Sequence, residues 1–70
     1  MKYLKKKQLV NECTYWVRLP ENMPNGKLND VVLKSQTATT VSIDLAHINA
    51  PYRNTQTYQF NTVDFIERIL

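Results

Sequence analysis

The last stretch of the chain, TYQFNTVDFIERIL at residues 57–70, decides the fold because it predicts two different endings. In one, TYQF is a strand, NTVD is a single helical turn and FIERIL is a short closing strand. In the other, Asn61 or Thr62 caps a terminal helix whose apolar stripe contains Val63 and Ile66. Only about eight residues would form that helix, and isolated helices of this length are marginal. We therefore favour the turn followed by a strand.

Period-two patterns upstream of this stretch predict the other strands. In LVNECTYWVRL, at 9–19, successive side chains would point to opposite faces of a strand, with mostly apolar residues on one face. The same alternation holds for TVSIDLAHI at 40–48. LNDVVLKS, at 28–35, is typical of a strand that is buried at its centre. The loops PENMPNGK and NAPYRNTQ contain proline and separate these strands. We predict a mainly β fold of about five strands with one short helical turn near the C-terminus. The alternative is an α+β fold, with a C-terminal helix on a four-stranded antiparallel sheet.

This order of elements resembles an SH3-like small barrel. Within that architecture, RLPENMPNGKLNDVVLKS at 18–35 is similar to a proline-bearing loop that leads into a strand, and TVSIDL at 40–45 fits the strand paired with it. The last segment, YQFNTVDFIERI at 58–69, is similar to the closing strand, turn and strand of the plasmid-encoded, trimethoprim-insensitive dihydrofolate reductases. Members of that family act as tetramers whose central pore binds folate and NADPH. The resemblance therefore implies a small barrel, and it offers dihydrofolate reduction as a third function to weigh.

The residues that carry the activity in that family are only partly present. The family binds its ligands with a Gln-Ile-Tyr strand, assisted by a lysine on an earlier strand. Gln59 and Phe60 fall on the first two of these positions, and Lys34 lies near the lysine. Asn61 stands where the tyrosine should be, and TTVS at 39–42 replaces a Trp-Gln-Gly-Gln segment. Because the aromatic hydroxyl and the glycine are missing, the resemblance implies the fold and not the enzyme.

Length and composition predict one small globular domain. The chain has 70 residues, of which 43% are hydrophobic. A domain of this size buries only about 60% of its unfolded surface, so we expect a partner or homo-oligomerisation to supplement the core. The opening MKYLKKKQLV lacks the apolar region of a signal peptide, and no apolar run approaches the roughly 20 residues of a membrane span. We expect a cytoplasmic protein that does not contact membranes.

The positive charge is concentrated at one end of the chain. The net charge is +3, but residues 8–70 contain five basic and six acidic side chains. We therefore divide the chain into a basic N-terminal segment, 1–7, and a single small β-barrel domain, 8–70. The bland interpretation is that the basic segment is merely solvated. Its four lysines are Lys2, Lys5, Lys6 and Lys7.

No pattern in the sequence indicates catalysis. Cys13 and His47 are the only cysteine and histidine, and two such ligands cannot form a structural zinc site. Cys13 lies on the apolar face of its predicted strand, where cysteine usually acts as a small inert hydrophobe. The single glycine excludes glycine-rich phosphate loops. We predict a protein that is not an enzyme and that binds no cofactor or metal.

Aromatic residues paired with arginine are the best binding candidates. Trp16 with Arg18 on a strand, and Tyr52 with Arg53 in a loop, have the composition of interface anchors or base-stacking platforms. Each also has a bland interpretation, in which Trp16 caps the core and Tyr52 packs beneath its loop. The candidate protein- or nucleic-acid-binding residues are Trp16, Arg18, Lys34, Tyr52, Arg53, Lys2, Lys5, Lys6 and Lys7.

Two binding functions follow from these candidates. The first is a small non-enzymatic protein-binding module, an inhibitor, adaptor or regulator of a larger assembly, of the kind common on phages and mobile elements. The second is a nucleic-acid-binding small barrel that uses the N-terminal lysines and the aromatic–arginine pairs. Clustering of Arg18, Lys34 and Arg53 around Trp16 would favour nucleic acid, whereas their dispersal would favour a protein partner.

Overall fold

The computed structural model describes residues 3–22, 26–46 and 54–70, and its strands form one five-stranded antiparallel sheet in the order β4-β3-β2-β1-β5. Single turns of 3-10 helix connect or precede the strands at Lys6–Gln8, Pro20–Asn22 and Phe60–Thr62. The strands are β1 (Thr14–Arg18), β2 (Asn29–Gln36), β3 (Thr40–Leu45), β4 (Gln56–Gln59) and β5 (Asp64–Arg68). The prediction of a mainly β fold is confirmed.

The prediction of a turn followed by a short C-terminal strand is confirmed, and the alternative of a terminal helix is wrong. The chain makes a single 3-10 turn at Phe60–Thr62 and then enters β5, which pairs with β1. In β5 the alternation of the sequence places Phe65 in the core, while Asp64 and Ile66 are only half-buried. A helix would have left the edge of β1 unpaired, and the strand satisfies it. The described residues contain no α-helix.

The first strand is shorter than its sequence pattern predicts. Alternation begins at Leu9, but the strand begins at Thr14, because Asn11 and Glu12 form a turn. Glu12 has a φ of 69°, which is the left-handed region and is incompatible with a continuous strand. Its amide donates a hydrogen bond to the carbonyl of Leu33 at 2.6 Å, so the turn attaches to β2. Leu9 is nevertheless buried in the core.

The core is a single apolar cluster on one face of the sheet. Its centre is aromatic, since the ring of Phe65 packs edge-on against Tyr15, with centroids 5.6 Å apart, and stacks on Phe60 at 5.7 Å. The Tyr15 hydroxyl accepts a hydrogen bond from the amide of Val10 at 2.8 Å, which satisfies its polar end. The buried residues are Leu9, Tyr15, Val17, Leu19, Val31, Leu33, Val41, Ile43, Val63 and Phe65.

The link between β4 and β5 forces the sheet to curl. These strands occupy opposite edges of the sheet, yet only residues 60–63 separate them. The four spacings of a flat five-stranded sheet would place its edges about 19 Å apart, whereas a 3-10 turn advances only about 2 Å per residue. The edges must therefore approach each other around the core. Among the described residues no backbone ladder joins β4 to β5, so the sheet is curled but is not closed into the barrel that the sequence predicted.

The basic N-terminal segment contacts the sheet. The amide of Leu4 donates a hydrogen bond to the carbonyl of Phe65 at 2.8 Å, and the Leu4 side chain packs against the core. The ammonium of Lys6 donates a hydrogen bond to the side-chain carbonyl of Gln36. These contacts attach the segment to β5 through Leu4 and to the end of β2 through Lys6. The division into segments 1–7 and 8–70 stays a prediction, and Lys2 lies outside the described residues.

Replacing Phe65 with alanine is expected to lower the free energy of unfolding by about 3–5 kcal/mol, because it removes a fully buried ring and both of its aromatic contacts. Urea denaturation followed by the emission of Trp16 measures this change. The control is Ile69→Ala, since Ile69 is 43% exposed and adjoins β5. If both variants unfold at the wild-type midpoint, Phe65 is not the centre of the core.

Candidate functional site

Trp16 is the most prominent apolar side chain on the outer face of the sheet. It lies at the middle of β1, between Tyr15 and Val17, which are both fully buried. Because side chains alternate along a strand, the indole points to the opposite face, where 40% of its surface is exposed. Trp16 is the only tryptophan of the chain and is not part of the core cluster.

Two carboxylates flank the indole of Trp16 on the neighbouring strands. Asp30 on β2 and Glu67 on β5 are its direct cross-strand partners. Directly opposed residues point to the same face, with Cβ atoms about 5 Å apart. Both acidic residues are exposed. Within the described residues neither carboxylate takes part in a side-chain hydrogen bond or an ion pair.

A register shift in the sheet places Glu67 beside Trp16. Val17 lies opposite Phe65, so an uninterrupted ladder would place Ile66 opposite Trp16. The register shifts by one residue between Trp16 and Val17, and Glu67 takes that position instead. The bulge therefore replaces an apolar neighbour of the indole with a negative charge.

Arg18 and Lys34, two cations predicted to bind a ligand, are both paired within the chain. The guanidinium of Arg18 lies 3.7 Å from the carboxylate of Asp64, and its Nε donates to the carbonyl of Gly26 at 3.3 Å. The ammonium of Lys34 lies 3.1 Å from the carboxylate of Glu12. Arg18 shares the outer face of β1 with Trp16, whereas Lys34 is drawn toward the turn that precedes β1.

The remaining predicted binding residues fall into two groups. Lys5 and Lys7 are exposed, and Lys6 is half-buried against Gln36. Lys2, Tyr52 and Arg53 lie outside the described residues, so the binding roles predicted for them stay predictions.

The acidic neighbours of Trp16 were missed at the level of sequence. Asp30 and Glu67 stand 14 and 51 positions after Trp16, and no local spacing relates them to it. Strand alternation does place Asp30 on the face opposite to Val31, but only the register shows that this is the face of Trp16.

Other polar and reactive side chains have structural partners. Asp44 is buried, and its carboxylate accepts a hydrogen bond from the hydroxyl of Thr55 at 2.6 Å. Cys13 is half-buried against the core, as predicted for a packing residue. His47 lies outside the described residues. In residues 3–22, 26–46 and 54–70, no three side chains of the metal-ligating types lie close enough to hold a metal ion.

No family model, curated protein or solved structure matches this chain. The likeness to the trimethoprim-insensitive reductases rests on the quoted residues alone. At those residues β4 ends at Gln59, and Phe60 and Asn61 lie in the 3-10 turn. Lys34, at the position near the family's lysine, is paired with Glu12. In the part of the chain that the structure describes, no helix has the length and apolarity to span a membrane.

Tyr58 connects the edge strand β4 to the turn that follows β1. Its hydroxyl lies 3.0 Å from a carboxylate oxygen of Glu21 and 2.6 Å from the side-chain carbonyl of Gln56, either of which can accept the single phenolic proton. Burial, the hydrogen bond to Glu21 and the charge of Glu21 raise the pKa of Tyr58 to about 12. The neutral phenol is therefore favoured in the folded protein.

Raising the pH is expected to weaken the fold through Tyr58. An unfolded tyrosine has a pKa of about 10, so the contribution of Tyr58 to stability is complete below about pH 10 and is lost as the pH rises toward 12. Glu21→Gln should lower the pKa of Tyr58 while leaving it above the ordinary value, because burial, the largest cause, remains. Ultraviolet absorbance of tyrosinate measures the titration, and Tyr58→Phe assigns it. An unchanged pKa in Glu21→Gln would contradict the role of Glu21.

Proposed function

We propose that this protein is a small non-enzymatic protein-binding module built on an SH3-like curled sheet. The strand order β4-β3-β2-β1-β5 and the 3-10 turn immediately before β5 support the SH3-like interpretation. The hydrogen bond between Tyr58 and Glu21 supports it further, because it draws the edge strand β4 toward the end of β1. In this arrangement the curled sheet encloses its own core, and its outer face is free to contact a partner.

The proposed interface is the outer face around Trp16, which we call the Trp16 face and define by Trp16, Asp30 and Glu67. The observation that carries the proposal is the exposure of the single tryptophan between two carboxylates that have no ion-pair partner among the described residues. Tryptophan is enriched among the residues that dominate the binding energy of protein interfaces. Burying this indole against a partner would also supplement a core that is small for an independent domain.

The charge of the Trp16 face favours a protein over a nucleic acid. A phosphate backbone is bound by cations that are available to neutralise it. Here the nearby cations Arg18 and Lys34 are engaged with carboxylates of the chain, and Asp30 and Glu67 would repel phosphates. The exposed lysines of the N-terminal segment are the remaining basis for the nucleic-acid alternative. The role that fits is an adaptor, inhibitor or regulator of a larger assembly in the cytoplasm.

A quantitative affinity capture tests the proposal. Tagged wild type, Trp16→Ala and Val10→Ala are incubated with nuclease-treated lysate of the source cells, and the bound proteins are quantified by mass spectrometry. Val10 is the matched control because it is an apolar side chain with 50% exposure outside the Trp16 face. We expect wild type and Val10→Ala to retain the same protein, and Trp16→Ala to retain at least about tenfold less of it, as for an interface hot spot.

Two results would contradict the proposal. One is capture that is equal for Trp16→Ala and wild type. The other is binding of short oligonucleotides at low salt, with an affinity that falls steeply as salt rises, since that dependence is the signature of phosphate contacts. Circular dichroism of the variants verifies that loss of binding is not loss of fold.

A further inference from the structure

The charges around the exposed indole do not balance. On the outer face of β1 and β2, Arg18 is paired with Asp64 of β5. Lys34 is paired with Glu12, which lies in the turn before β1. Asp30 and Glu67 have no such partner among the described residues, although they lie on opposite sides of Trp16. Arg68, the neighbour of Glu67 in sequence, is exposed and lies opposite Tyr15 in the ladder, not opposite Trp16. The Trp16 face thus carries two uncompensated negative charges around an aromatic ring.

We propose that the Trp16 face recognises an arginine side chain of the partner protein, with the guanidinium stacked on the indole of Trp16 between the carboxylates of Asp30 and Glu67. This inference rests on the proposed function and names the chemistry of the partner. A cation above an aromatic ring is attracted by the negative face of the ring, and tryptophan is the strongest of the aromatic side chains in this respect. The two carboxylates add attraction from both sides.

The planar indole ring of Trp16 favours arginine over lysine as the side chain that is bound. A guanidinium is planar, so it can stack on the indole and still direct N–H groups at its edges toward carboxylates. Asp30 and Glu67 lie on the strands on either side of Trp16, and two strand spacings separate them by about 10 Å between backbones. Side chains that lean inward from these positions approach opposite edges of a stacked guanidinium. An ammonium has no plane to stack and is more strongly hydrated, so we expect it to bind more weakly.

Fluorescence of Trp16 tests this directly, because it is the only tryptophan. Excitation at the red edge of the absorption band excites Trp16 without exciting the tyrosines. The ligand is the peptide Ac-Gly-Arg-Gly-Arg-Gly-NH2, which is titrated into the millimolar range. The same peptide with citrulline keeps the shape and removes the charge, and the version with lysine keeps the charge and removes the plane. We expect a saturable change in Trp16 fluorescence with the arginine peptide and weaker binding of the lysine peptide. The citrulline peptide should bind at least about threefold more weakly than the arginine peptide.

Isosteric variants test the two carboxylates. Asp30→Asn with Glu67→Gln should weaken binding of the arginine peptide by about fivefold, which is the effect expected from two exposed charges. The control, Glu21→Gln, removes one charge that lies away from the Trp16 face. It is compared with Asp30→Asn and Glu67→Gln taken singly, and it should bind as wild type does. Equal binding of the arginine and citrulline peptides, or a loss in Glu21→Gln equal to that in Asp30→Asn and Glu67→Gln, would overturn the inference.

The peptide titrations and the affinity capture together distinguish failure of this inference from failure of the proposed function. If Trp16-dependent capture of a partner succeeds and arginine is not preferred, the inference alone falls. If no protein is captured through Trp16, the proposed function falls whatever the peptides show. Sedimentation of the protein alone tests whether a second copy of this chain binds to the Trp16 face. A dimer that is dispersed by Asp30→Asn with Glu67→Gln would assign the face to self-association and overturn the inference.

Discussion

The short connection between the two edges of the sheet is the constraint on which the rest of the structure depends. β4 and β5 are the outermost strands, but only residues 60–63 join them. A flat sheet cannot satisfy this connection, so the strands curl and one face becomes an interior. With no α-helix among the described residues, this curling is how the apolar face is covered. The aromatic contacts of Phe65 with Tyr15 and Phe60 lie where β5 and the turn that leads into it meet β1.

The same architecture determines which side chains remain available outside. β1 lies between β2 and β5, so its outward residues have a cross-strand neighbour on both sides. For Arg18 the ladder supplies Asp64, which lies 3.7 Å from it, and the pair is locally neutral. For Trp16 both neighbours are acidic and unpaired within the described residues. A face on which Arg18 and Lys34 are paired, while acidic groups lie beside an exposed indole, is better suited to a cationic protein surface than to phosphates.

Part of the candidate site could be predicted from the sequence. Trp16 and Arg18 share a face because strand alternation is a local property, and the composition of the pair indicated an interface. Asp30 and Glu67 could not be assigned to this face, because their position depends on which strands pair and in which register. The register shift at Trp16 shows how strongly the site depends on strand pairing. A one-residue difference there exchanges Ile66 for Glu67 and changes the chemistry of the site.

The sequence by itself determined the strand content and the inward or outward direction of most side chains, because period two, turn residues and the shortness of the final segment are local signals. It also predicted the single turn and closing strand in preference to a terminal helix. Only the tertiary structure decided the order of the strands, the start of β1 at Thr14 after the turn at Glu12, and the acidic surroundings of Trp16. These features arise from pairing between residues that are distant in the chain, and local propensity carries no information about such pairing.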